Sequence, residues 1–201
     1  MLILPIAVLI GVVAGWSAGG TWRALLGTRF WHPLVVLAVF GGQAVLELPG
    51  LRDWPTHLRF AIVLLTYLLL GYWLFMNSRR SSHGIRLAFG IVGCGWALNL
   101  LAIAPNGGMP VSGWALQRAG IAAAISVTGG HLAKHVPMNS GTALRVFGDT
   151  IPLSWFRTVV SPGDLLIAVG ISFLIAATMR KPSADPDPVG HTAFARLNSS
   201  D

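Results

Sequence analysis

Five long stretches of this chain carry almost no charge: residues 2–18, 33–48, 58–76, 87–104 and 165–179. Crossing a hydrocarbon core of about 30 Å takes about 20 apolar residues in a helix. A water-soluble helix would keep a polar face, and these stretches have almost none. Charged residues make up only 10% of the chain, against about 25% in soluble domains. The expected fold class is therefore all-α, a polytopic transmembrane bundle of about five spanning helices. The segment between the fourth and fifth stretches, 105–162, is rich in Gly, Pro and polar residues and reads as a long extracytoplasmic loop. Residues 180–201 read as a disordered cytoplasmic tail.

The short loops set an orientation. Arg23 and Arg29, then Arg79, Arg80 and Arg86, then Arg180 and Lys181 all fall on one side of a five-helix count. Basic residues in short loops stay cytoplasmic. The amino end and the 105–162 loop are thus expected outside a bacterial cytoplasmic membrane, with the tail inside. No basic region precedes Leu2, so the first stretch reads as a retained helix and not a cleaved signal. Within the long loop, Ala119 to Val127 is apolar but too short to span, and reads as a re-entrant or interfacial helix. The net charge of +7 is spread in small groups between apolar stretches, which argues against a nucleic-acid surface.

Gly11, Gly15 and Gly19 repeat every four residues, a spacing that lets helix backbones approach closely. Packing within the monomer is the expected use, and a dimer seam the alternative. The lone Cys94 reads as a small buried hydrophobe.

Unusual polar residues gather toward the outer face. Asn99 stands inside an apolar run and must find a partner there. Asn106 lies seven positions on, two turns along the same face, and opens Asn106-Gly107-Gly108-Met109-Pro110-Val111, a helix stop and turn. Gly148-Asp149 reads as a turn. In Ser161-Pro162-Gly163-Asp164, Ser161 fits a helix N-cap, Pro162 the first helical position and Asp164 the third, making a capping box. Two carboxylates meeting in a shielded cleft would hold one proton between them and activate water, so Asp149 and Asp164 are the candidate catalytic pair. Gln43 and Glu47, four apart in the second stretch, are candidates to line the same cavity as Asn99, Asn106, Gly107 and Gly108. His131 and His135 share a helical spacing that suits zinc, with Asp149 as a third ligand. The flanking Lys134 and the missing glutamate of the usual motif favour a basic patch against lipid headgroups. No resident metal or cofactor is expected.

These motifs resemble those of a family of bacterial membrane proteins catalogued as domain of unknown function 5317. The resemblance rests on Asn99, on Asn106-Gly107-Gly108-Met109-Pro110-Val111, on Gly148-Asp149-Thr150-Ile151-Pro152 and on Ser161-Pro162-Gly163-Asp164. It implies a multi-pass membrane protein and supplies no activity. The lipoprotein signal peptidase is similar only in setting two aspartates near the outer face; its Asp-Arg and Asn-x-x-Asp surroundings are missing. The leading expectation is an outer-face Asn/Asp cluster that binds a lipid, peptide or protein partner. The alternatives are an aspartate-dependent hydrolase at the outer leaflet and a small-solute or ion transporter.

Overall fold

The computed structural model describes residues 3–45, 48, 54–121 and 135–180. The chain forms α1 (Ile3–Ser17), α2 (Trp22–Gly27), α3 (Leu34–Val45), α4 (Thr56–Arg80) and α5 (His83–Asn106). After them come β1 (Met109–Val111), α6 (Gly113–Arg118), β2 (His135–Pro137), β3 (Ile151–Leu153), β4 (Thr158–Val160) and α7 (Pro162–Met179). Among the described residues, α4, α5 and α7 are long and apolar enough to cross a membrane, and α1 and α3 are shorter apolar helices.

The helices are inside-out by soluble standards. Leu9 and Val13 on α1, Leu37 and Phe40 on α3, Leu65, Leu68 and Phe75 on α4, and Val169 on α7 are all exposed. Large contiguous apolar exposure is rare on a soluble monomer. Lipid is the solvent that such a surface suits.

Successive long helices alternate in direction. Trp96 Nε1 on α5 donates to the Tyr67 carbonyl on α4 at 3.0 Å, and Val63 packs with Ala102 and Ile103, so α4 and α5 are antiparallel. The start of α3 is held to the far end of α4: Asn77 Oδ1 accepts from the Trp31 backbone N–H at 2.7 Å. Trp73 Nε1 donates to the Trp31 carbonyl at 2.7 Å. Beneath that anchor Phe30, Trp73 and Phe89 pack ring to ring, with centroids 5.8–6.1 Å apart.

α7 lies between α5 and α1, and glycines set the closeness. A Cβ on Gly95 would stand 2.5 Å from the Gly163 carbonyl oxygen, and one on Gly170 would meet Val92 at 2.6 Å. On the other side, Gly11 faces Ser172 and Gly15 faces Ala176 and Met179. Two of the three regularly spaced glycines are therefore covered within the chain. Gly19 is not part of that face; it turns the chain after α1 with φ of 78°.

Several expectations change. α5 runs through Pro105 to Asn106, whereas the sequence reading ended it at Ala104. A proline in the last turn removes one backbone donor without breaking what precedes it. α7 starts at Pro162, as the capping pattern implies and three residues ahead of the apolar run at Leu165, and its 18 residues span about 27 Å at 1.5 Å per residue. The fold is not purely helical. β1 and β2 pair in parallel, β3 and β4 pair antiparallel, and both lie in the segment read as a loop. α6 also forms there, ending in a turn at Ala119 and Gly120. Residues 122–127 of the expected re-entrant helix, and the tail from residue 181, lie outside the described residues. Cys94 is exposed, not buried.

The close α5–α7 approach gives a direct test. A Cβ on Gly163 would collide with Asn99 Oδ1, whereas one on Gly90 meets nothing within 4 Å. Gly163→Ala is expected to destabilise by about 1–3 kcal/mol through overpacking, and Gly90→Ala to be neutral or slightly stabilising. Equal melting temperatures for the two variants in detergent would refute this packing.

Candidate functional site

At one end of the bundle α5 ends, α7 begins, and the short strands gather. Asn99 is 3% exposed and Ser161 fully buried. Asn99 Nδ2 donates to Asp164 Oδ1 at 2.8 Å, and Ser161 Oγ donates to Asn99 Oδ1 at 2.8 Å. The Asp164 backbone N–H donates to Ser161 Oγ at 3.0 Å, and the Ser161 N–H donates to Asp164 Oδ2 at 3.1 Å. This is a complete capping box, with Pro162 in the first turn. The orphan donors of a helix start are expensive to leave bare near lipid. Asn99, a lone polar residue one turn below, completes the set. Both Asp164 oxygens are thereby occupied.

Asn106 has a different task. Its Nδ2 donates to the carbonyls of Ala102 at 2.7 Å and Ala143 at 3.0 Å, and its Oδ1 accepts from the Ala143 N–H at 3.0 Å. It clamps the return of the loop onto the end of α5. Gly107 takes the left-handed position after the helix, φ 70°, and buried Gly108 leads into β1.

β1 is the centre of the cover. It pairs with β2 on one side, Met109 opposite His135, and bridges Asp149 through Val111 on the other. The Asp149 N–H donates to the Pro110 carbonyl at 2.7 Å, and the Ser112 N–H donates to the Asp149 carbonyl at 3.0 Å. The expected turn at Asp149 is thus a strand-like bridge, and its side chain is buried. Asp149 Oδ2 lies 3.3 Å from His135 Nε2. Asp149 Oδ1 is buried with no hydrogen-bond partner among the described residues. Both carboxylates lie within electrostatic reach of the Tyr67 side chain on α4.

The aspartates are near enough to interact, but no hydrogen bond joins them. Burial pushes the Asp149 carboxyl above its ordinary value of 3.8; the hydrogen bond and charge of His135 oppose the rise, and the Asp164 charge adds to it. With Asp164 occupied by Asn99 and Ser161, the geometry offers no bond for a proton shared between the two. Gln43 is half-buried on α3, a helix that packs along α4. Glu47 and His131 lie outside the described residues. No group of three metal-binding side chains occurs among the described residues.

Sequence reasoning joined His135 to Asp149 only as ligands of one zinc site, and otherwise read it as a lipid-facing base; it missed their direct contact. It also passed over Ser161 as a partner of Asn99, and Tyr67. A phenol placed in an apolar span needs a polar neighbour, and that signal was available.

The Asp149 environment predicts a pH effect. A carboxyl whose folded value is raised contributes stability that is full below pH 3.8 and is lost as pH climbs through the raised value. The melting temperature of the wild type minus that of Asp149→Asn should therefore fall as pH rises above 3.8. A difference that stays level or grows over that range would contradict the burial of this carboxyl.

Neither a curated protein nor a solved structure matches the chain. The profile of a family of unknown function (DUF5317) matches residues 3–176. With most of its length matched and its polar motifs gathered at one end of an apolar bundle, this chain belongs to the DUF5317 family.

Proposed function

We propose that α1, α3, α4, α5 and α7 each cross a bacterial cytoplasmic membrane, with the amino end and the β-paired cover outside. The alternating helix directions support this count. So does the gathering of Arg80 over the Trp31 ring, at 4.9 Å, and of α2, the start of α5 and Arg180 around one cavity. These are the segments whose basic residues belong inside. α1 and α3 are short, with 15 and 12 described residues; a thinned bilayer accommodates such helices at modest cost. A tag at Asp201 that protease reaches in intact cells would overturn the orientation.

On the outer face, the reading best supported is a binding site centred on Asp149 for a lipid, peptide or protein partner that presents an ammonium group. One observation carries it: a buried carboxylate oxygen without a partner among the described residues, on a residue whose backbone is fixed by two hydrogen bonds to β1. An unsatisfied buried acceptor costs about 1–3 kcal/mol. A donor N–H from outside recovers that energy, and a positive charge suits two neighbouring carboxylates. Asp164 and Asn99 hold the floor of the site in place.

Binding to the folded state alone stabilises by about 2.7 kcal/mol at a ligand concentration one hundred times Kd. A phosphatidylethanolamine or a short peptide with a free amino terminus should raise the melting temperature of the purified protein. Phosphatidylcholine, with no N–H to give, should not. Asp149→Asn should remove the effect. If no amine shifts the wild type, or if choline lipid shifts it equally, the proposed site is wrong.

A further inference from the structure

At the opposite end of the bundle a cavity of about 590 Å³ opens between α2, the start of α5 and the end of α7. Such a volume is within the range of small-molecule sites, about 300–1,000 Å³. It is lined by the apolar Ile85, Phe173 and Ala177 together with Ser82 and the exposed Arg180. The apolar walls stand on α5 and α7, two of the helices long enough to span. The neighbouring α2 exposes Trp22 and Leu26, the residue types that settle at a membrane boundary. Arg180 lines the cavity with no acidic side chain beside it, and Arg23, Arg29 and Arg86 belong to the same neighbouring segments of the chain.

We propose that this cavity holds one anionic glycerophospholipid of the surrounding membrane, its phosphate at Arg180 and Ser82 and an acyl chain against Ile85, Phe173 and Ala177. An apolar gap open to hydrocarbon is filled by the solvent present there, which is lipid. The cationic Arg180 selects the headgroup, as basic pockets between transmembrane helices do. The site is independent of Asp149 and rests only on the membrane reading of the helices.

Two glycines allow a clean occlusion test. Gly84 and Gly27 both line the cavity, and a Cβ on either meets nothing within 4 Å. Native mass spectrometry of the detergent-solubilised chain, titrated with phosphatidylglycerol and with phosphatidylcholine of equal chain length, reads the outcome. The wild type should retain one phosphatidylglycerol in preference. Arg180→Gln should weaken that retention about fivefold, the equivalent of about 1 kcal/mol for one basic residue near a charged surface. Gly84→Leu, or Gly27→Leu from the opposite wall, should abolish it. Gly90→Leu, on the same helix in open space, should leave it unchanged. Lipid-free melting curves check that each variant is folded. Equal retention of the two lipids by the wild type overturns the proposal, as does a folded Gly84→Leu that binds phosphatidylglycerol like the wild type. A dimer that Gly84→Leu converts to monomers would give the cavity to a second copy and overturn it too.

Discussion

The structure depends on α7 lying close enough to α5 for Gly163 to sit against Asn99. In lipid, apolar side chains gain nothing by leaving solvent, so helices associate through backbone closeness and shared polar contacts. Gly95, Gly163 and Gly170 supply the closeness between α5 and α7, and Gly11 and Gly15 supply it between α1 and α7. Asn99, Ser161 and Asp164 supply the polar lock. Remove the glycines and the lock is out of reach; remove the lock and the start of α7 has bare donors. Position at that end then sets position at the opposite one, where the Met179 carbonyl accepts from the Thr21 N–H at 2.8 Å.

That lock sorts the polar residues at its end of the bundle. Asn99, Asn106, Ser161 and Asp164 use their side chains on one another or on the backbone, and their bonds explain why each is there. Asp149 differs. Two backbone bonds hold it, His135 occupies one oxygen, and the other is buried without a hydrogen-bond partner among the described residues. A carboxylate fixed so firmly and satisfied so incompletely is a poor structural element and a good receptor for a donor. The opposite end of the bundle has the converse design, a hollow lined by apolar side chains and Arg180.

What the sequence disclosed follows from the range of the interactions. The apolar runs were legible because lipid exposure demands them residue by residue. The capping box at Ser161 and Asp164 was legible because it is a local pattern of four residues. The spacing of Gly11 and Gly15 implied close packing, though not that α7 would be the neighbour. The extension of α5 was hidden by Pro105, which reads as a stop and is tolerated in a last turn. Strands of three residues leave no alternation to detect, so β1 to β4 were invisible. The approach of His135 to Asp149, fourteen residues apart, exists only once β1 lies between them. Cys94 read as buried because its surroundings are apolar, yet in this chain apolar residues face outward.

The division between a committed Asp164 and an unsatisfied Asp149 is the central claim, and a lipophilic carbodiimide tests it most directly. The reagent forms a stable adduct with a protonated carboxyl in apolar surroundings and spares one held by donors. Peptide mapping after limited labelling, repeated over a series of pH values, should find the adduct first on Asp149, whose carboxyl burial pushes above 3.8, with Asp164 unmodified. Labelling of Asp164 ahead of Asp149, or of neither, would contradict the account.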